Sequence, residues 1–331
     1  MKRFLLKSLL YSLPILVPIT IFISFVNPYL SGDIGPLGYI KFPNGYARSQ
    51  PVNNKIINCN YNCSEYCDND ILTIGDSFSQ GDNTYNFFIA EYWNNKVFNL
   101  YQDRWANHFN RFVYLSKTQK LPKVVIVESV ERYLIERLNK TTFNLTADEM
   151  VASGIIDTTS VKYQSEKKSV LEKTQEWMKR GMHLKGYENP IYSAKLSKPL
   201  FSCPDQESNL YFYCEDIFNM NPQDSLVNIA VEKLDSLFKY AESLDIELYV
   251  LIAADKYDVY QDYIVDNEYE KQCLLDNLLE KYNHPHLINS KDTLYKMVDN
   301  GVLDVYWLNN THWSPIGSNA VAKQTLKIIE N

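Results

Sequence analysis

Residues 71–81 read Ile-Leu-Thr-Ile-Gly-Asp-Ser-Phe-Ser-Gln-Gly, an apolar run that passes directly into a Gly-Asp-Ser turn. A serine on a tight turn between a strand and a helix exposes its hydroxyl at the carboxyl edge of a sheet. Helix N-terminal amides beside it can stabilise an oxyanion. Ser77 is therefore the candidate nucleophile. The alternative is an ordinary turn in which Ser77 only caps a helix, since Gly, Asp and Ser are all common there.

Alternating strand and helix patterns continue from this segment to the C terminus. Predicted strands cover residues 71–74, 97–100, 124–127, 246–252 and 286–288. Predicted helices cover residues 78–93, 105–116, 130–138, 226–244 and 315–329, with further helical signals across 257–282. This alternation predicts a mostly parallel sheet with helices on both faces, a three-layer α/β/α sandwich. Ligands of such sheets bind beyond the carboxyl ends of the strands, where we expect Ser77, Glu128 and residues 254–256.

Residues 1–29 are predicted to be a signal anchor. Lys2, Arg3 and Lys7 precede a stretch without charge that reaches the roughly 20 residues needed to span a bilayer. The basic flank should face the cytoplasm, which predicts a single-pass protein of the inner or plasma membrane with its domain in the periplasm or outside the cell. A cleavable signal peptide is the alternative, although residues 20–32 contain no site resembling Ala-x-Ala.

Two further segments interrupt or precede the alternating pattern. Residues 30–69 are rich in Pro and Gly and predict a linker between the membrane and a domain that spans residues 70–331. Residues 139–223 are polar and are interpreted as an insertion, or cap, on the sheet, with an amphipathic helix over residues 165–179.

Six cysteines are typical of an exported protein, because disulfides persist in oxidising compartments. Cys203 and Cys214 bracket a short segment and predict one bridge. A second pair within the trio of Cys59, Cys63 and Cys67, and a third to Cys273, would use all six, although six cysteines allow 15 connectivities. A zinc site at the trio is the alternative, but no histidine lies nearby, and no metal is expected.

The charge balance bears on the class of partner. The chain has a formal charge of −7, and residues 1–29 contain three basic residues and no acid, so the rest of the chain carries −10. This negative charge argues against nucleic acid or an anionic membrane surface as the partner.

A serine nucleophile needs a base. The chain has five histidines: His108, His183, His284, His286 and His312. His312 alone lies in a loop rich in Asn and Thr, just before a helix with Pro315 at its start, which is typical of an active-site loop. The alternative is a histidine satisfied by local hydrogen bonds.

The turn at residues 75–79 and the sequence His-Trp-Ser-Pro-Ile-Gly at 312–317 together resemble the SGNH hydrolase and acetyltransferase superfamily. The second block is similar to that of bacterial exopolysaccharide and cell-wall O-acetyltransferases. Residues 124–132 and Asp255-Lys256 are similar to segments of the alginate-acetylation group. The resemblance covers residues 70–138 and 224–331. It implies an SGNH-like fold with Ser77 as nucleophile and His312 as base, and no cofactor is expected.

The chain departs from the superfamily pattern where an Asp is expected before the histidine, because it has Asn309 and Asn310. In the serine-protease template an Asp→Asn change lowers turnover by about ten-thousandfold, near 5 kcal/mol of barrier. The alternatives are a Ser-His-Asn arrangement with Asn310 or Asn309 orienting His312, a Ser-His dyad, another carboxylate such as Asp304, or loss of activity.

The oxyanion blocks of the superfamily are also altered. Residues 101–104 lack a glycine, and Glu128-Ser129 stand where the superfamily has Gly-x-Asn-Asp. The candidates for oxyanion or substrate binding are Gly75, Asp76, Glu128, Arg132 and Lys256. Arg132 has a simpler role as an i,i+4 partner of Glu128. Lys256 either binds an anionic sugar or pairs with Asp255.

The resulting expectation is a membrane-anchored O-acetyltransferase that modifies hydroxyls of an exported or cell-surface glycan through a Ser-His acyl-enzyme mechanism. The resemblance implies that a multispanning membrane acyltransferase supplies the acetyl groups. The alternatives are a glycan or small-ester deacetylase with the same residues, and an inactive SGNH-like binding or assembly protein.

Overall fold

A six-stranded sheet forms the centre of the molecule. The computed structural model describes residues 11–18, 56–59, 66–80, 83–101, 107–156, 191–218 and 221–331. The strands of the sheet are β1 (Ile56–Cys59), β2 (Ile71–Gly75), β3 (Val97–Tyr101), β4 (Val124–Val130), β7 (Glu247–Ala253) and β8 (Leu287–Asn289). They lie in the order β1-β3-β2-β4-β7-β8, and every neighbouring pair is parallel. Two further strands, β5 (Ile191–Lys195) and β6 (Asn209–Tyr213), pair antiparallel in a separate sheet.

The helices are α1 (Tyr85–Tyr92), α2 (His108–Thr118), α3 (Glu131–Asn139), α4 (Ala147–Ala152), α5 (Glu215–Phe218), α6 (Asp224–Glu242), α7 (Lys256–Tyr260), α8 (Leu274–Lys281), α9 (Ser290–Asp299) and α10 (Pro315–Ile329). The chain leaves β2 towards β3 and then reverses direction to reach β4. Right-handed crossovers therefore put α1 and α2 on opposite faces of the sheet. The contacts agree, because α1 packs on α10 and α10 on α9, whereas α3 packs on α2 and α6. The α/β class is confirmed.

The reversal at β2 determines where a ligand site is expected. In open parallel sheets the crevice for ligands opens beyond the carboxyl ends of the strands, at the point where the crossovers change direction. β2 and β4 are buried along their whole length, which explains why both are apolar runs without alternation. Their register pairs Ile74 with Val127, so the next residues, Gly75 and Glu128, lie side by side at the carboxyl edge.

The predicted elements differ from the structure most clearly in three places. Strand β1 lies at Ile56–Cys59, inside the predicted linker, and pairs with β3, so the sheet begins before residue 70. The helix predicted over residues 78–93 is interrupted: a single 3-10 turn at Ser77–Ser79 comes first, and α1 begins only at Tyr85. The reason is that the backbone becomes extended at Gln80, after Ser79 turns its hydroxyl into the interior. Helix α9 was not predicted, although Asn289 caps it by accepting from the Lys291 N–H. The last helix begins at Pro315 and ends at Ile329, as predicted.

The insertion between α3 and α6 has its own elements, α4, the β5–β6 pair and α5. Its segment after β5 contacts the loops at the carboxyl edge of the central sheet. Leu196 forms an isolated bridge with Ile264, and Phe201 stacks on Tyr260 with ring centroids 5.5 Å apart. The helix predicted over residues 165–179 lies outside the described residues. The insertion therefore packs beside the end of α7 and the turn that follows it.

The predicted anchor at residues 1–29 falls almost entirely outside the described residues, as does most of the linker at 30–69. Residues 11–18 are helical. Among the helices that the structure describes, none combines the length and the apolar character needed to cross a bilayer.

The structure does not form the predicted bridge between Cys203 and Cys214. No disulfide joins the cysteine side chains that it describes, which are Cys67, Cys203, Cys214 and Cys273. Cys203 lies in a turn before β6, closed by the bond from the Gln206 N–H to the Cys203 carbonyl, and Cys214 directly follows β6. A strand advances about 3.3 Å per residue, whereas bridged Cα atoms lie within about 7 Å. The length of β6 therefore separates the two cysteines by more than a bridge allows. Cys63 and the side chain of Cys59 lie outside the described residues.

Candidate active site

The turn after β2 exposes one hydroxyl. Asp76 caps the short 3-10 helix through Oδ1, which accepts from the Phe78 N–H at 3.2 Å. Its other oxygen accepts from the Val130 N–H at 3.1 Å and from Arg137 Nη1 at 3.0 Å. Asp76 and Phe78 are buried, whereas Ser77 between them is half-buried. The turn therefore holds its own backbone with buried groups and leaves the Ser77 side chain accessible.

Glu128 lies underneath this turn and is fully buried. Its Oε2 accepts from the Asp76 N–H and from Ser79 Oγ, both at 2.9 Å. A Cβ on Gly75 would lie 2.1 Å from Ser79 Oγ and 2.4 Å from Glu128 Oε2, so only glycine leaves room for this contact. Glu128 thus binds the turn on both sides of Ser77.

The two buried carboxyl groups differ in charge. Burial by itself would raise the pKa of Asp76, but neighbouring His108 and the charge of Arg137 outweigh it and hold that pKa well below its usual range. Burial, together with the charge of Asp76, raises the pKa of Glu128 well above its usual range. Asp76 is therefore the stronger acid of the two, and Glu128 keeps its proton to higher pH, as expected for neighbouring acids in one buried network.

The histidine loop forms a tight hairpin in front of α10. Trp307 N–H donates to the His312 carbonyl at 3.1 Å, and Ser314 N–H donates to the Val305 carbonyl at 3.0 Å. Ser314 then caps α10 through its side chain. Gly317 is needed at the start of this helix, because a Cβ there would lie 2.4 Å from the Val305 carbonyl oxygen. These contacts fix where the loop presents His312.

Asn310 is the residue that contacts the imidazole. Its Oδ1 lies 2.5 Å from His312 Nδ1 and also accepts from the His312 N–H at 2.9 Å. Because an amide oxygen can only accept, Nδ1 must carry the proton. Nε2 is then the acceptor nitrogen of a neutral imidazole, the form that a general base requires. Asn309 is buried and does not make this contact.

Ser77 and His312 line one pocket of about 240 Å³. The other lining residues are Phe78, Gln80, Thr84, Trp307, Asn310, Trp313 and Ser318. Phe78 joins the two halves of the site, because its ring centroid lies 4.7 Å from the rings of both His312 and Trp313. The structure therefore brings the two sequence blocks together across more than 230 residues of chain.

The pocket lining does not include the predicted oxyanion or substrate-binding residues, which are Gly75, Asp76, Glu128, Arg132 and Lys256. Arg132 contacts Asp255 through Nη1 and lies 3.3 Å from Asp216, so its expected helix pair with Glu128 is wrong. Lys256 is fully buried and donates to backbone carbonyls of the histidine loop instead of pairing with Asp255.

Two expected alternatives for the site can also be compared with the structure. Asp304 accepts from the Ser202 N–H at 3.0 Å and so contacts the insertion rather than His312. Residues 102–106, where the altered second block lies, are outside the described residues. Among the described residues, no group of three or more His, Cys, Asp or Glu side chains is arranged to hold a metal ion.

An oxyanion donor is available at the turn itself. The N–H groups of Asp76, Phe78 and Ser79 donate to Glu128, to the Asp76 side chain and to the Asp76 carbonyl. The Ser77 N–H makes no such bond within the described part of the chain. It lies at the start of the 3-10 helix, where backbone donors have no intrahelical acceptor.

The sequence interpretation missed two groups that support the nucleophile. Ser79 donates to Glu128 and lies 3.2 Å from the Tyr85 hydroxyl, while its carbonyl accepts from the side-chain amides of Asn86 and Asn99. Arg137 donates to Asp76. The second serine of the Gly-Asp-Ser-Phe-Ser segment was a usable signal for the first group, but nothing local identified Arg137.

Comparison with known proteins assigns no family to this arrangement: no protein-family model matches the chain, and no curated protein matches it in sequence.

Proposed function

We propose that this chain is a serine-dependent acyltransferase of the SGNH type that transfers acetyl groups to hydroxyls of an exported glycan. One observation carries the proposal: accessible Ser77 shares a pocket with His312, and Asn310 accepts from Nδ1 of that histidine. A hydroxyl, an imidazole that is protonated on Nδ1 and a group that orients the imidazole are the parts that acyl transfer through serine needs.

In the proposed reaction, Ser77 Oγ attacks the carbonyl carbon of the donor ester while Nε2 of His312 takes the hydroxyl proton. The Ser77 N–H donates to the oxyanion that forms. Collapse of the tetrahedral intermediate breaks the bond to the leaving alcohol, which receives the proton from His312 and leaves an acetyl ester on Ser77. His312 then removes a proton from the acceptor hydroxyl, whose oxygen attacks the acetyl ester. As the bond between the acetyl carbon and Ser77 Oγ breaks, His312 returns the proton to Ser77 Oγ, which restores the free serine and the neutral imidazole.

Transfer to a glycan, rather than to water, is proposed from the predicted anchor. A domain held at the membrane lies close to a multispanning acyltransferase that supplies acetyl groups, and close to glycans as they are exported. The negative charge of the domain is compatible with a neutral acceptor.

The test is labelling and turnover of the purified full chain, kept in detergent, with an activated acetyl ester. We expect acetylation of wild-type Ser77, seen as a mass increase on its peptide, and no label in Ser77→Ala. Ser318→Ala is the matched control, because Ser318 lines the same pocket and should leave labelling intact. Unchanged labelling and turnover in Ser77→Ala would contradict the proposal.

The same reaction distinguishes transfer from hydrolysis. Addition of neutral oligosaccharides should direct the acetyl group from Ser77 to sugar hydroxyls, measured by mass spectrometry of the sugar. Free acetate as the product at every acceptor concentration would instead assign the site to an esterase or deacetylase.

A further inference from the structure

Lys256 places a buried ammonium group against the histidine loop. It is fully buried, and its Nζ donates to the carbonyl oxygens of Trp307 at 2.7 Å, Leu308 at 2.9 Å and Asn310 at 3.3 Å. An ammonium has three N–H donors. The side chain therefore gathers three carbonyls from four consecutive residues around one point.

Breaking this contact would be costly for both the ammonium and the carbonyls. A buried charge is tolerated only where polar groups surround it, and the three carbonyl dipoles supply that environment here. The Phe201 ring, 5.3 Å from Nζ, adds its negative face. Without the ammonium, all three carbonyls would lose a charged donor in the interior, and the Trp307 carbonyl would keep only the long bond from the Asn310 N–H at 3.4 Å. The loop conformation seen here thus depends on Lys256.

Asn310 connects this contact to the imidazole. Its backbone carbonyl accepts from Lys256, and its side-chain oxygen accepts from His312 Nδ1. An aspartate at this position would also attract the imidazolium through its charge, whereas a neutral amide acts only through the geometry of its hydrogen bond. The orientation of His312 therefore depends on where the loop backbone holds Asn310.

The backbone at Lys256 is held in place by contacts of the preceding residue. It is the first residue of α7 and follows Asp255, whose N–H donates to Glu131 at 2.9 Å and whose carboxylate accepts from the Arg132 N–H at 3.0 Å. Both partners follow β4, the strand whose Glu128 supports the nucleophile turn. Residues at and after the end of β4 therefore contact both the turn that carries Ser77 and the start of α7, where Lys256 holds the histidine loop.

We propose that Lys256 is a positioning residue that holds the 307–310 loop so that Asn310 orients His312 for proton transfer. This role rests on the proposed function for its kinetic consequence, but not for its structural one, because the Asn310–His312 hydrogen bond exists with or without turnover.

The experiment follows the His312 Nδ1 proton by NMR in the full chain with 15N-labelled histidine. A hydrogen-bonded Nδ1 proton is protected from solvent and gives a resonance downfield of the amide region, assigned by its loss in His312→Gln. We expect Lys256→Met, which keeps the length of the stem, to lose this resonance. Its kcat for the activated ester should fall roughly 100-fold, as for a misplacement of about 1 Å, with KM nearly unchanged.

Lys291→Met is the matched control. Lys291 is another largely buried lysine, but it pairs with Asp258 and Asp276 and makes no contact with the histidine loop. This variant should lose stability while keeping the resonance and kcat. A resonance that persists in folded Lys256→Met would overturn the proposal, whatever happens to turnover.

Lys256→Arg decides the question if Lys256→Met does not fold. The guanidinium keeps the charge, but its donors lie in a fixed plane and cannot converge on three carbonyls as an ammonium does. We expect it to fold with a shifted or broadened resonance and a lowered kcat, and an unchanged resonance and kcat would refute the role of Lys256. If the wild type shows the resonance but no ester turnover, the proposed function fails while the positioning role survives.

Discussion

Oδ1 of Asn310 lies 2.5 Å from Nδ1 of His312, so an amide oxygen occupies the position at which a serine triad places a carboxylate. The amide fixes the tautomer, because it can only accept from Nδ1. It provides no charge to stabilise the imidazolium that would form in the proposed reaction. An aspartate would both orient the imidazole and stabilise its positive charge, whereas Asn310 only orients it. Substitutions at position 310 can therefore measure the two contributions separately.

Asn310→Ala should remove the orientation. We expect kcat to fall by roughly 100- to 10,000-fold, because His312 loses the acceptor that keeps its proton on Nδ1. The measurement is steady-state hydrolysis of the activated ester. Asn309→Ala is the neighbouring control and should retain most of the activity, since Asn309 does not contact the imidazole. Equal losses in the two variants would assign the effect to the loop as a whole.

Asn310→Asp should add the charge. A carboxylate within hydrogen-bond distance favours the protonated imidazole, so the acid limb of the pH–rate profile should move to higher pH by about 1 to 3 units. The profile of kcat against pH gives the result directly. A profile that coincides with that of the wild type would show that the side chain at 310 does not face His312 during turnover.

Gly75→Ala should disrupt the nucleophile turn. The new Cβ would overlap Ser79 Oγ and Glu128 Oε2, so we expect a loss of about 1 to 3 kcal/mol in the free energy of unfolding and a large loss of labelling at Ser77. Gly154→Ala is the control: its backbone φ of +72° costs about 1 kcal/mol, but nothing lies near its Cβ. That variant should lose stability without losing labelling.

Glu128→Gln should change how stability depends on pH. Burial raises the pKa of Glu128 well above its ordinary value of 4.5, so the folded state keeps a proton over a range of pH in which the unfolded state releases it. The stabilisation is complete below about pH 4.5 and is lost as pH rises towards the folded pKa, at about 1.4 kcal/mol per pH unit.

Glutamine cannot ionise, and its Oε1 still accepts from the Asp76 N–H and from Ser79. The stability of Glu128→Gln relative to wild type should therefore increase between pH 5 and pH 8, measured by urea unfolding. Parallel curves for the two proteins would mean that Glu128 is ionised in the folded state. Glu128→Ala lacks the acceptor and, like the glutamine variant, cannot ionise, so it should be less stable than Glu128→Gln by about 2 to 4 kcal/mol at every pH.

Arg132→Met should lower the free energy of unfolding. Arg132 contacts Asp255 and Asp216, both fully buried at their side chains, and its loss leaves those carboxyl groups without a cation. Removing one partner of a buried ion pair costs about 3 to 5 kcal/mol. Arg132→Met/Asp255→Asn should recover part of this loss in thermal unfolding. A variant of wild-type stability that fails only in acyl-enzyme formation would return Arg132 to the list of oxyanion donors.

Much of the fold could be predicted from local pattern. The apolar runs of β2 and β4 identify buried parallel strands, and Pro315 marks the start of α10, because each signal lies within a few residues of its element. The break between Ser77 and Tyr85 could not be predicted in this way. It arises because Ser79 bonds to Glu128, a residue from the next strand in the sheet.

The sequence by itself determined the α/β class, the position of Ser77 after the first long strand and the candidacy of His312, since these depend on periodicity and chain order. Only the tertiary structure decided which asparagine contacts the imidazole, that Arg132 pairs with Asp255, and that Lys256 binds the histidine loop. The Asn310–His312 contact depends on the hairpin that the loop forms. The other two depend on distances between residues remote in the chain, and such distances are set when the strands pair and their carboxyl ends meet at one edge.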